Sequence, residues 1–320
     1  MLAGDGITLE VIPTAGTVDN LELLKRDEVS LALVQGGSTS EADRANLQSL
    51  GSLFLEAVWV FTPRTLPIRR LNELTGKRVA VGPIGSGTQL LAKQLLGANG
   101  VSESNATFVH IDTSDFLPLL LRAELDAGIV VASAEAPIVH TLAEQPQLEL
   151  LDLERTGAYG RVFPFLTPVI LDEGVLNLGR NIPPRDMRLV GTAASLAAPR
   201  DLHPALIPAL LDAATRVHQA GGLLEETRQF PSANLVDLPM NEDAGRYIRN
   251  GPSFLYRWLP YGTAVVLDRL QVLLLPLVAL LLPLSRIAPP LYQWRVRSRV
   301  YGGTRRFGTS TWPSRRSNRM

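Results

Sequence analysis

The chain has 320 residues, 46% of them hydrophobic and 19% charged, with a net charge of zero and no cysteine. That is enough apolar material for real cores and room for two ordinary domains, which excludes a disordered chain. It also excludes a disulfide framework and thiolate chemistry, and the overall balance gives no basic footprint for nucleic acid. The neutrality hides an asymmetry: of the 31 Lys and Arg, 10 arginines follow residue 260, where Asp268 is the only acid, so the body is acidic and the end of the chain basic.

Met1 to Gly6 has neither the basic region nor the apolar run of a secretory leader. Ile7 to Ile12 alternates and predicts a strand, of the kind found inside a larger domain. From there to about residue 220, short apolar strands alternate with helical stretches, which predicts an α/β architecture with mainly parallel sheets. Strands are expected over 29–35, 53–61, 77–81, 106–111, 127–132 and 188–194. Helices are expected over 18–25, 86–98, 115–123, 135–143 and 204–220. Segment 146–186, with Pro164, Pro168, Pro183 and Pro184, reads as strand and loop, a place for a crossover between domains.

Two small-residue turns stand out. Pro83-Ile84-Gly85-Ser86-Gly87-Thr88-Gln89 follows a short strand and opens a helix whose apolar residues Leu90, Leu91, Leu95 and Leu96 predict one buried face. Ser86 or Thr88 then caps a helix whose free N–H groups face the loop, a cradle for a carboxylate or phosphate as much as an ordinary cap. A Walker loop would need Lys after Gly87, and Thr88 and Gln89 stand there instead, which argues against nucleotide hydrolysis. Thr14-Ala15-Gly16-Thr17-Val18-Asp19-Asn20 repeats the same logic, and the two turns are suited to face one another. The next strand ends in Gln35-Gly36-Gly37, where open α/β sheets bind ligands.

The four histidines, His110, His140, His203 and His218, lack the spacing that puts two metal ligands on one helix face, so no metal site and no cofactor is expected. No Ser-His-Asp order, paired catalytic carboxylates or cofactor loop assembles either. An enzymatic reading would fall on Asp112, Asp115 or Glu135.

After Gly251-Pro252 the composition changes. Val272 to Leu284 is an unbroken run of apolar residues and prolines, and Ala264 to Leu284 contains only Asp268, Arg269 and Gln271 as polar residues. Tyr256, Trp258 and Tyr261 precede it, and Tyr292, Trp294, Arg295, Arg297 and Arg299 follow. Aromatic belts with arginines on one side predict a transmembrane helix within 261–290 and a cytoplasmic C-terminus. Residues 291–320 read as a basic tail, disordered toward its end.

Taken together, Thr14 to Leu21, Leu31 to Gln35, Gly82 to Thr88 with Leu95-Leu96 and Gly100-Val101, and Asn250-Gly251-Pro252-Ser253-Phe254-Leu255 followed by Leu259-Pro260 resemble a known family. It is the solute-binding component of tripartite ATP-independent periplasmic (TRAP) transporters, of the TAXI subfamily. The resemblance covers most of residues 5 to 300, and Tyr292 to Tyr301 is similar to members with a C-terminal anchor. It implies a two-lobed type II periplasmic-binding-protein-like fold with a hinge, residues 1–81 and 186–255 forming one lobe and 82–185 the other. Members begin with a strand and a glycine- and tyrosine-containing turn, and this chain is expected to start after that element.

The resemblance also implies a cleft holding a small anionic solute, an amino acid or a dicarboxylate. Carried over by position, its residues are Thr14, Thr17, Asn20, Gln35, Ser86, Gly87 and Thr88, with Glu56 and Ser133 beside them. The implied partners are the TRAP permease subunits and the membrane, with the lobes on the periplasmic or extracellular side. A tethered ligand sensor is the alternative on the same lobes.

Overall fold

The computed structural model describes residues 7–251 and Leu281. They form a mixed α/β fold around one eight-stranded sheet, β1 (Ala32–Gln35), β2 (Leu47–Pro63), β3 (Arg78–Ala80), β4 (Thr107–Val109), β5 (Ala127–Ala132), β6 (Leu148–Leu150), β7 (Leu166–Leu171) and β8 (Met187–Pro199). The helices are α1 (Thr17–Lys25), α2 (Glu41–Asn46), α3 (Gly87–Ala98), α4 (Phe116–Leu121), α5 (Pro137–Ala143), α6 (Thr156–Val162), α7 (Leu206–His218) and α8 (Glu242–Asn250). The path through the sheet is β1-β8-β2-β5-β3-β4, with β6 on β2 and β7 on β8.

Two strands hold this arrangement together. β2 runs 17 residues, paired with β8 from Leu47 to Ala57, with β5 from Ala57 to Phe61 and with β6 from Phe61 to Pro63. β8 pairs with β7 over its first half and with β1 over its second. One set of elements (β1, α1, α2, α7, α8) therefore gathers at one end of the β2–β8 pair, and the other (β3 to β7, α3 to α6) at its opposite end. The two-lobed expectation takes this form.

The side-chain alternation of β2 assigns its two faces. Leu55, Ala57, Trp59 and Phe61 enter one core with Phe116, Leu120 and Val139. Val58 and Val60 enter the other, beneath Leu91, Ala92, Leu95 and Leu96 of α3. Leu21 and Leu24 of α1 pack on Val34, Leu47 and Ala197 in a smaller cluster.

Three expectations are corrected. The sheet is not mainly parallel: among the described pairings only β3–β4 and β3–β5 are parallel. Antiparallel order follows because the sheet is organised around two long strands that run against each other rather than around a series of crossovers. Ile7 to Ile12 is not a strand; no described strand takes its hydrogen bonds, and Val11 is 77% exposed. The helix expected over 115–123 is shorter, a single turn at Thr113–Asp115 followed by α4.

Among the described residues no helix is long and apolar enough to cross a membrane. The predicted span at 261–290 and the basic tail at 291–320 lie outside the described residues, apart from Leu281.

Candidate functional site

The two small-residue turns meet. Gly16, at the N-cap of α1, has φ 136°, and a Cβ built on it would stand 3.5 Å from the Cα of Ser86, the N-cap of α3. The end of β1 lies between them. The Gln35 amide N–H donates to Thr17 Oγ1 at 3.1 Å, and its side-chain Nε2 donates to the Gly87 carbonyl at 3.3 Å. Thr17, Gln35, Ser86, Gly87 and Thr88 are thus brought into one buried group.

Their side chains are occupied in holding that group together. Ser86 Oγ donates to the Pro83 carbonyl at 2.7 Å and accepts from Gln89 N at 3.1 Å, so it caps α3. Gln89 closes the loop from the other side, its Oε1 accepting from Gly85 N at 2.8 Å. Thr88 Oγ1 accepts from Val131 N, which fastens the start of α3 to β5. Thr14 and Asn20 sit at the exposed rim: the Thr14 hydroxyl donates to Asn20 Oδ1 at 2.7 Å, and Asn20 Nδ2 donates to the Leu33 carbonyl at 2.8 Å.

What remains available is main chain. Among the described residues, the N–H groups of Thr17, Val18 and Asp19 in α1 and of Gly87 and Thr88 in α3 have no acceptor. Unpaired donors at the positive ends of two helices attract an anion. Two such ends from segments about 70 residues apart point into one region.

Glu56 is placed by the register of β2. In register, Gln35 pairs with Ala194 and Ala194 with Phe54, while Glu56 pairs with Thr192. Directly paired residues share a face of the sheet, so Gln35, Phe54, Glu56, Thr192 and Val58 stand on one face, which at Val58 enters the core beneath α3. Thr192 was not among the sequence candidates; its hydroxyl donates to the Gly36 carbonyl at 3.1 Å, and a Cβ on Gly36 would stand 2.4 Å from that oxygen. The Glu56 carboxyl has no hydrogen-bond or ion-pair partner among the described residues, and burial pushes its pKa up to about 7.

Ser133 belongs to a neighbouring space. Beyond Ala132, which pairs with Ala57, β5 ends and leaves the edge of β2 open. The open Leu55 N–H is taken by Glu225 Oε1 at 2.8 Å. A cavity of about 340 Å³ lies there, lined by Phe54, Ser133, Glu135, His218 and Glu225 among others. The His218 ring stacks on Phe54 with centroids 5.5 Å apart, and burial lowers its pKa. Burial raises the Glu225 pKa, and the nearby Glu135 carboxylate adds to this. Asp112 and Asp115, the other acids of the enzymatic reading, are exposed at the start of α4. Among the described residues no group of three or more His, Cys, Asp or Glu is placed to hold a metal ion.

The sequence of residues 1–249 matches the NMT1-like family. The chain belongs to that family. No curated protein matches it. Among solved structures it is similar to the amino acid ABC transporter substrate-binding protein AbpA from Streptococcus pneumoniae bound to L-arginine, at 18% identity and a TM-score of 0.43, over 69% of this chain and 76% of that one. It is similar also to the periplasmic aliphatic sulphonate binding protein SsuA from Escherichia coli, at 16% identity and a TM-score of 0.43, over 65% of this chain and 61% of that one.

Proposed function

We propose that this NMT1-like chain is the solute-binding subunit of a TRAP transporter, capturing a small solute with at least one carboxylate and passing it to a membrane permease. The observation that carries the reading is the meeting of the α1 and α3 N-termini around Gln35, with free main-chain donors on both sides. Charge-assisted hydrogen bonds from such donors hold a carboxylate without covalent chemistry. Because the two helices sit at opposite ends of the β2–β8 pair, a solute bridging them favours the closed arrangement over an open one, which is the signal a permease would read. In this reading the predicted span at 261–290 anchors the binding lobes on the outer side of the membrane, with the tail at 291–320 in the cytoplasm.

The test is a thermal-shift and calorimetric screen of the purified full chain in detergent micelles against amino acids, dicarboxylates and other small acids. A solute at a hundredfold over its Kd adds about 2.7 kcal/mol to stability, a rise of several degrees for a domain of this size. Saturable, reversible, stoichiometric binding supports the reading. Conversion of the solute over many turnovers would replace it with an enzymatic one.

A further inference from the structure

The two lobes are bonded to one another by a reciprocal pair of glutamines. From the first lobe, Gln35 at the end of β1 donates its Nε2 to the Gly87 carbonyl of α3 at 3.3 Å. From the second, Gln94 of α3 donates its Nε2 to the carbonyl of Gly37, two residues beyond Gln35, at 3.1 Å. Gly87 and Gln94 are seven residues apart, so they stand along one edge of α3 about 10 Å from each other, beside the leucines that enter the second lobe's core. That edge is thus fastened at two points to the strand end of the other lobe.

Gly37 is gripped from both sides. Its N–H donates to the Asp237 carboxylate, and Leu238, next along, packs with Val34 and Leu47 in the first lobe. Its φ is 86°, and a Cβ on it would stand 2.4 Å from the Phe165 ring of the second lobe, an approach that requires glycine. None of the ion pairs among the described residues joins the lobes, so at this face neutral hydrogen bonds carry the contact. Each such bond shifts an equilibrium by about two- to tenfold. Gln94 Oε1 is buried without a partner among the described residues, a cost of the closed arrangement that water relieves when the lobes part. The contact therefore holds the lobes together without locking them.

We propose that Gln35 and Gln94 form a latch that keeps the lobes closed through the protein's own bonds, ahead of any solute, and that its release opens the cleft. This goes beyond the solute-binding reading and does not depend on it. A solute that favours the closed arrangement meets it ready-made, and its apparent affinity rises with the closed fraction.

The test is a distance measurement on the full chain in detergent micelles. The protein has no cysteine of its own, so Glu41→Cys on α2 of the first lobe and Leu178→Cys in the second, both highly exposed, take a pair of spin labels at defined places. Double electron–electron resonance without added solute should show one dominant distance. Gln94→Glu, which sets an acceptor against the Gly37 carbonyl, should lower the closed-to-open ratio about tenfold, and Gln35→Glu with Gln94→Glu about a hundredfold, so that a second distance dominates. Gln35→Met with Gln94→Met, uncharged and of similar length, moves the distribution the same way by a smaller step and serves if the acidic pair unfolds. Comparable populations of two distances in the parent, or double variants that fold and keep the parent's distribution, overturn the latch. A parent with one distance that binds no solute overturns the solute-binding reading and leaves the latch standing.

Discussion

The side-chain amide of Gln35 donates to the main-chain carbonyl of Gly87 across 52 residues of sequence, tying the end of β1 to the first turn of α3. On one side of that bond the Gly87 Cα has no room for a side chain. A Cβ on Gly87 would stand 2.2 Å from Gln35 Oε1 and 3.3 Å from Thr17 Cγ2. The obstructing oxygen is the far end of a flexible side chain, and alanine is the better helix former by about 1 kcal/mol. Gly87→Ala is therefore expected to leave stability within about 1 kcal/mol of the parent while displacing Gln35. Thermal unfolding should show little change. Calorimetry with any solute that binds the parent should show at least a tenfold loss of affinity, since both the Gln35 contact and the adjacent donors shift.

The helix starts were legible because capping is local chemistry. Ser86 followed three residues later by Gln89, and Gly16 ahead of Thr17, sit within one turn of the bonds they make. The facing of the two turns was legible for the same reason, as a repetition of strand, small-residue turn and hydroxyl. The long strands were not: Leu47 to Ser52 is polar and glycine-containing, and it becomes strand because β8 pairs with it on one side, with bridges to Ser232 and Met240 besides. Thr192 escaped notice because its role depends on standing opposite Glu56 on another strand. The cavity beside Ser133 depends in turn on where β5 stops relative to β2, a matter of register rather than of residue type.

Ser86 offers a test of how much of the loop is scaffold. Its hydroxyl both donates to the Pro83 carbonyl and accepts from Gln89 N. Ser86→Ala removes the cap and should cost about 1 kcal/mol, in the range of lost N-caps generally. Ser86→Asp restores an acceptor to Gln89 N and should recover stability, yet it places a negative charge at the donors of Gly87 and Thr88. Urea unfolding is expected to rank parent and Asp close together with Ala below them, while solute binding should be weakest in Asp.

Asp152 contributes to the acid sensitivity of the fold. Its carboxylate accepts from Arg188 N and Nε at 3.0 Å each, from Arg188 Nη2 at 2.8 Å and from Arg185 Nη1 at 2.8 Å. Burial alone would push this acid up, and the bonds from Arg188 and Arg185 outweigh it, holding the pKa at about 2. A depressed folded-state value means the contribution is complete above the ordinary carboxylate range near 4 and is lost as pH falls through about 2. With the arginines partly exposed to solvent, it is worth about 1 to 2 kcal/mol. Asp152→Asn should lower stability by that amount at pH 7, and the gap between parent and variant should close in denaturation curves taken near pH 2.

Glu56 runs the other way. Its folded-state pKa is pushed up to about 7 by burial, against an ordinary value of 4.5. Below about pH 4.5 the group is protonated in both folded and unfolded chains and has no effect on the balance. As pH rises from there toward 7, the unfolded chain releases its proton while the folded chain retains it, so stability falls across that window and levels off above it. The full penalty is on the order of 3 kcal/mol by the same linkage. Glu56→Gln cannot ionise and escapes it. The variant is therefore expected to match the parent at pH 4 and to exceed it at pH 8, with a melting temperature several degrees higher in the absence of solute. If Glu56 is a cleft residue, as the family resemblance implies, the stability given up in the empty protein is returned when a counter-charge arrives. Adding an amino acid that binds should accordingly raise the parent's melting temperature more at pH 8 than the variant's, and equal shifts in the two would place the solute away from Glu56.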